Sequence, residues 1–442
     1  MAKKQLTEVE HQRLKMLAMT RLARLFITVN GTISLIVAGV FTLILTPIFH
    51  LNAPLAFAGS FLGLILFQLL MPDMRKLWRS SMVDVCQKEH HWDVADQLIL
   101  EDTGVVLQQI LDGKPCPTFD KGKHELPLSQ ARLIYIRKGE SASVIKLSEF
   151  LCEKRAGNPY ESVTLGCVYM DYGRHDDGFR ILNQTRVQLE TAGRENSPPY
   201  LSVHLGLTAG YISLHKIKEA QATLDKLEEI VNVLAGGNQK DRLDQLVVKH
   251  DEIKHEMHRA QYLKLSGKIK ELTGDPEASI ALTAARDIMK NKELQKTLTL
   301  LYPGIVNDMA DLAIRQKQFD KAAQFAKECD DYYENETRYR GRDYHNNQSM
   351  LAYARFKQGK IGNHSDELNQ CLTGLRDNCA AVHPYIANCL SSLGEAYLSE
   401  NKPSDARPAF EAALAICQKL FPADDPQIKE IEAKLTSMAV AT

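Results

Sequence analysis

One pattern recurs along most of this chain at a spacing of 42 residues, and it restricts the chain to a stack of similar helical units. Near the C-terminus the pattern reads Leu390, Leu393-Gly394, Tyr397, Ala406, Phe410, Ala413. Large apolar residues at those offsets share one helix face, while Gly394, Ala406 and Ala413 are small where two helices must approach closely. The polar turn Glu400-Asn401-Lys402-Pro403 separates the helices, and Pro403 opens the second, where its missing N–H costs nothing. Forty-two residues before Gly394 stands Ala352, with Gly359 at the expected turn; another 42 before that stands Ala310, followed by Ala313, Phe319 and Ala322. Upstream, Leu165-Gly166, Tyr169, Gly173 and Gly178 form a second clear unit, repeated 42 residues later by Leu207-Thr208, Tyr211, Ala220 and Leu224. Between the two sets runs a less regular unit, a long polar helix from about Lys240 to Leu272 closed by Gly274-Asp275-Pro276. A unit around Tyr135 and Gly139 precedes the Gly166 unit by about 34 residues. Residues 75–111 (Trp92, Ala95, Leu98) read as a linker or one more degenerate pair.

These residues resemble the tetratricopeptide repeat, with the small and aromatic positions filled as that family fills them. His383-Pro384-Tyr385-Ile386-Ala387, Ala412-Ala413-Leu414-Ala415-Ile416 and Phe421-Pro422-Ala423-Asp424-Asp425-Pro426, together with the 42-residue spacing, look like the subtype found in kinesin light chains and many bacterial repeat proteins. Ser391 and Ser392 depart from it, standing where that subtype often has paired asparagines, and no heptad coiled coil is present. The resemblance implies an all-α fold, a right-handed α-solenoid of helix pairs over residues 124–442, and a role in recognising peptides or proteins. It also implies a concave groove lined by positions two, five and nine of each first helix. In the last three units these are Gly304, Asn307, Asp311; Asn346, Ser349, Tyr353; and Asn388, Ser391, Glu395. In the earlier units they include Val163, Cys167, Leu205 and Ala209, an apolar set suited to another helix. The stretch Tyr332 to Tyr344 brings Arg338, Arg340 and Arg342 among tyrosines in an inter-repeat linker, a composition suited to an acidic partner at the mouth of the groove.

Residues 25–72 contain no Asp, Glu, Lys or Arg. Residues 25–48 form one apolar run, about 36 Å long as a helix, and residues 55–71 a second of about 26 Å. A hydrocarbon core of about 30 Å is crossed easily by the first and barely by the second. Pro47 and Pro54 bracket the turn between them. Residues 1–24 carry Lys3, Lys4, Arg13, Lys15, Arg21 and Arg24, and Arg75, Lys76 and Arg79 follow the second run, whereas the connecting loop has no basic residue. The expectation is an integral membrane protein with a transmembrane hairpin over 25–72 and both termini cytoplasmic, at the inner or plasma membrane in a bacterium. Residues 73–120 then form a helical linker or degenerate repeat ahead of the solenoid.

The remaining residues, 73–442, hold 48 basic and 53 acidic side chains, which argues against a sequence-independent grip on nucleic acid. Nine scattered cysteines include no C-x-x-C pair, so the spacing of a structural zinc site is absent and reduced thiols are expected. Ser266-Gly267-Lys268 lacks the upstream glycine of a phosphate loop. The histidine cluster His250, His255 and His258 has no H-E-x-x-H arrangement and reads as a solvated face. No catalytic residue, cofactor or metal is therefore assigned. The chain reads as a membrane-anchored scaffold or adaptor binding protein or peptide partners on the cytosolic face. The alternative is a regulatory or assembly subunit of a membrane enzyme or transporter, packing through small residues such as Gly59 and Gly63.

Overall fold

The computed structural model describes residues 92–236, 245–297, 299–360 and 362–440, with residues 83 and 86. The proposed hairpin at 25–72 and the basic segment before it lie outside the described residues. Among the described residues no helix is long and apolar enough to cross a membrane. They contain helices and turns but no strand.

The chain divides into two compact units, one of residues up to 109 with 116–131, the other of residues 110–115 with 132 onward. The first unit holds most of α1 (Trp92–Leu111), whose helix is interrupted at Gly104 by φ 56° and ψ −144°. Ala95 and Ile99 are buried there.

The second unit is a succession of antiparallel helix pairs. Its helices are α2 (Lys121–Lys138, from residue 132 onward), α3 (Ser141–Lys154), α4 (Pro159–Asp171), α5 (His175–Thr191), α6 (Pro198–Ser213) and α7 (Ile217–Gly236). There follow α8 (Gln245–Leu272), α9 (Ala278–Met289), the short α10 (Lys292–Thr297), α11 (Leu301–Arg315) and α12 (Phe319–Tyr332). The last are α13 (Arg342–Lys357), α14 (His364–Asn378), α15 (Pro384–Ser399), α16 (Pro403–Leu420) and α17 (Pro426–Val440). Starts are marked in the sequence: Asn158 accepts a hydrogen bond from the Tyr160 amide ahead of α4, and His383 Nδ1 from the Tyr385 amide ahead of α15, each with proline at the first helical position.

The stop of each first helix is more uniform still. Seven residues with left-handed backbone, Gly139, Gly173, His215, Gly274, Lys317, Gly359 and Asn401, end the first helices of seven pairs. At each, the next amide bonds back five residues: Glu140 to Tyr135, Arg174 to Tyr169, Lys216 to Tyr211, Asp275 to Lys270, Gln318 to Ala313, Lys360 to Arg355 and Lys402 to Tyr397. This is the longer bond of the Schellman motif, which satisfies carbonyls that a helix end leaves orphaned. The pair α8/α9 carries the same turn as its neighbours, so the irregular unit is an ordinary pair whose first helix is longer.

Packing within pairs follows one rule. A Cβ on Gly394 would lie 2.7 Å from the Phe410 ring, one on Gly166 2.7 Å from Leu182, and one on Gly267 2.7 Å from Leu282. Phe410, Leu182 and Leu282 are each fully buried, a burial that stabilises by about 1.5–3 kcal/mol per side chain. Gly267, which the sequence offered only as part of a failed phosphate-loop match, is thus the close-approach glycine of its pair. Between pairs, apolar clusters run on without a break in kind: Leu207, Leu224 and Ile269 in one, Leu282, Met289 and Ile305 in the next, Leu368, Leu390 and Phe410 in the last, which α17 closes with Ile428 and Ile431.

Candidate functional site

First helices of successive pairs turn one face toward a common cavity of about 940 Å³. All nine groove positions inferred for the last three units line it: Gly304, Asn307 and Asp311 from α11, Asn346, Ser349 and Tyr353 from α13, and Asn388, Ser391 and Glu395 from α15. Of the apolar set only Ala209 lines it; Val163 is buried in the inter-pair core, against which Cys167 and Leu205 pack. Of the three arginines only Arg342 lines it.

The polar groups of this lining are largely committed to one another. Asn307 (7% exposed) donates to the Tyr333 hydroxyl at 3.3 Å and the Asp343 carbonyl at 3.4 Å, and its Oδ1 is buried with no protein partner. Ser349 donates to the Asn346 carbonyl, and Asn388 accepts from Gln427 of α17 at 2.7 Å. Asn307, Asn346 and Ser349 are therefore buried rather than exposed, which corrects the simple picture of short polar side chains open along a groove.

Position nine forms cross-pair links. Lys268 of α8 reaches Asp311 of α11 at 2.9 Å, and Tyr353 of α13 donates to Glu395 of α15 at 2.9 Å. Lys268 also meets Glu271 at 2.9 Å, and Arg315 meets Glu271 at 2.8 Å. Glu395 is gripped by Lys357 and by Lys434 of α17, each at 2.5 Å. Burial pushes the Glu395 carboxyl up, but the two ammonium groups outweigh it and hold the carboxyl below the usual range. Burial likewise opposes ionisation of Lys268 and Asp311, and their mutual attraction overcomes it in both, raising the lysine and lowering the aspartate. Glu271, wholly enclosed, goes the other way, because burial raises it more than Lys268 and Arg315 lower it.

Lys264 and Lys268 are cavity residues the sequence reading missed. Aligning Gly267 with Ala310 would have found them, since they then fall at positions five and nine of α8. Lys434 had no such signal, because it comes from the terminal helix rather than from a repeat.

The Tyr332–Tyr344 stretch is built into the fold. Tyr333–Thr337 form a π-helical turn and Arg338 is left-handed at φ 50°. Tyr333 and Tyr339 are buried 5.3 Å apart. Arg340 pairs with Glu334 and lies over the Tyr344 ring, and Arg342 donates to the carboxylate and carbonyl of Asp171. The described residues hold no cluster of three or more His, Cys, Asp or Glu arranged for a metal.

Comparison with known proteins bears on the last pair. Residues 386–427 match the tetratricopeptide repeat family. That repeat comprises nearly all of α15, all of α16 and the start of α17, so its Gly394–Phe410 contact is the reference for the others. No curated protein matches the chain. Among solved structures, a tetratricopeptide repeat protein from Parabacteroides merdae is similar at 12% identity and TM-score 0.35, over 71% of this chain and 98% of that one. The Cut9–Hcn1 hetero-tetramer of the APC/C gives 13% and 0.37, over 82% of this chain and 63% of that one. The tetratricopeptide domain of P58(IPK) gives 13% and 0.24, over 84% and 99%.

Proposed function

We propose that this chain is a scaffold or adaptor that holds a segment of a partner protein in the cavity, and that residues 25–72 anchor it in a membrane with the solenoid on the cytoplasmic side. The observation that carries the first part is the shared cavity of about 940 Å³, to which the first helices of successive pairs contribute amide and hydroxyl side chains beside matched ion pairs. Within that lining Asn388, Ser391 and Ser392 are only half-buried and offer donors and acceptors to an extended peptide backbone, while seven basic and six acidic side chains nearly balance. The second part is supported by the uncharged 25–72 stretch and its basic flanks. The 42-residue spacing, with the His383–Ala387, Ala412–Ile416 and Phe421–Pro426 stretches, resembles kinesin-light-chain-type repeats and supports a role in peptide or protein recognition.

A photo-cross-linking residue at Asn388 or Ser391, inside the cavity, should capture the same partner. One at Glu411 or Lys419, exposed on α16, should not. Equal capture from the α16 positions, or none from the cavity, rejects the cavity as the binding site.

A further inference from the structure

The pairs do more than follow one another. Parts of the second unit that are far apart in sequence meet along a seam made by the turns. Arg342, at the start of α13, donates to the carboxylate of Asp171 at 2.7 Å, and the Ala380 amide donates to the Tyr172 carbonyl at 3.1 Å. The Arg340 amide donates to the Arg137 carbonyl at 2.8 Å. His215 lies 2.7 Å from Asp425 and stacks on Phe421 at 3.9 Å with the rings parallel to within 1°. Gly173 fits the approach closely: a Cβ there would lie 3.0 Å from that of Ala380 and 3.1 Å from the Val382 carbonyl.

Two properties set this seam apart from the interfaces between neighbouring pairs. Its contacts are mainly backbone hydrogen bonds, ion pairs and one ring stack, with Ile136 packing against the Tyr333–Tyr339 cluster, whereas the interfaces between neighbouring pairs set their ion pairs on larger apolar cores. Its residues Asp171, His215 and Arg342 also line the cavity, so the seam forms part of one of its walls. In a solenoid, stability resides in nearest-neighbour interfaces, so a contact between distant pairs can break while every pair stays folded.

We propose that the seam is a latch, which opens while the stacked pairs remain intact and so admits an elongated partner to the cavity from the side. Admission of a partner rests on the adaptor reading; opening of the seam does not.

Amide hydrogen exchange on the full chain tests the opening directly, because the Ala380 and Arg340 amides are both bonded across the seam. In the native chain they should exchange about a hundredfold faster than the core amides of α15 and α16. Asp171→Arg sets two cations against each other, and the milder His215→Gly removes the stack on Phe421 while keeping a residue suited to the left-handed turn. Either substitution should speed exchange at Ala380 and Arg340 about a further tenfold and leave α15 and α16 unchanged. Access is read with Ser391→Cys, which places a thiol in the cavity. Its labelling by a bulky polymer-linked maleimide should rise with His215→Gly, while labelling by a small maleimide stays constant. If Ala380 and Arg340 exchange only together with the core amides, or if His215→Gly speeds all amides alike, the seam is part of the cooperative fold and no latch exists. Faster exchange without faster bulky labelling would disprove gated access. Failure of cavity cross-linking with both of these results intact would instead count against the adaptor reading alone.

Discussion

His204 is the side chain whose surroundings make the plainest demand on solution conditions. It is 3% exposed on α6, its ring nitrogens have no hydrogen-bond partner, and Tyr200 packs edge-on at 4.7 Å. Burial, aided by Arg186, depresses it from 6.5 to about 4. Between those values the unfolded chain binds a proton that the folded chain refuses. The stabilising contribution is thus complete above about pH 6.5 and disappears as pH falls toward 4. A shift of that size corresponds to about 3 kcal/mol. His204→Phe should therefore flatten the fall in denaturant midpoint between pH 6.5 and 4, and an unchanged slope would show that His204 is protonated in the folded state. His175 and His383, also buried and depressed beside Arg342, leave a residual slope of the same sign in the variant.

At the scale of elements, the close approach inside each pair is the feature most open to perturbation. Gly267→Ala adds a methyl 2.7 Å from Cγ of the fully buried Leu282, and should destabilise the chain by about 1–3 kcal/mol, read as a shift in denaturant midpoint. A shift near zero would mean that α8 and α9 separate freely and are not a pair like α15 and α16. The pairs were legible in the sequence where the 42-residue spacing holds, because Gly166 and Thr208 in one set, and Ala310, Ala352 and Gly394 in the other, recur in phase. Gly267 was passed over because α8 spans 28 residues against 16 for α6, which breaks the phase. The groove positions of α11, α13 and α15 were legible for the same reason. Their bonding was not, since Lys268, Gln427 and Lys434 arrive from neighbouring pairs and the terminal helix at separations that no single-helix pattern encodes.

For the whole molecule, the path of the stack decides what meets what. The seam from Arg137 and Asp171 to Arg340 and Ala380 results from small rotations accumulated over several pairs, which leave no mark in any one repeat. The membrane expectation is tested at the same scale in intact cells. In a chain without native cysteines, Asn52→Cys should react with an impermeant thiol reagent, whereas Gln5→Cys and Glu430→Cys should be shielded; labelling at 430 but not at 52 would reverse the proposed orientation. The left-handed turns carry a practical consequence of their own. Gly274 follows His215 by 59 residues, yet its turn closes with the same five-residue bond as those spaced by 42. Each turn is set by the few residues around it, so chain length added ahead of a first helix does not propagate to the next one.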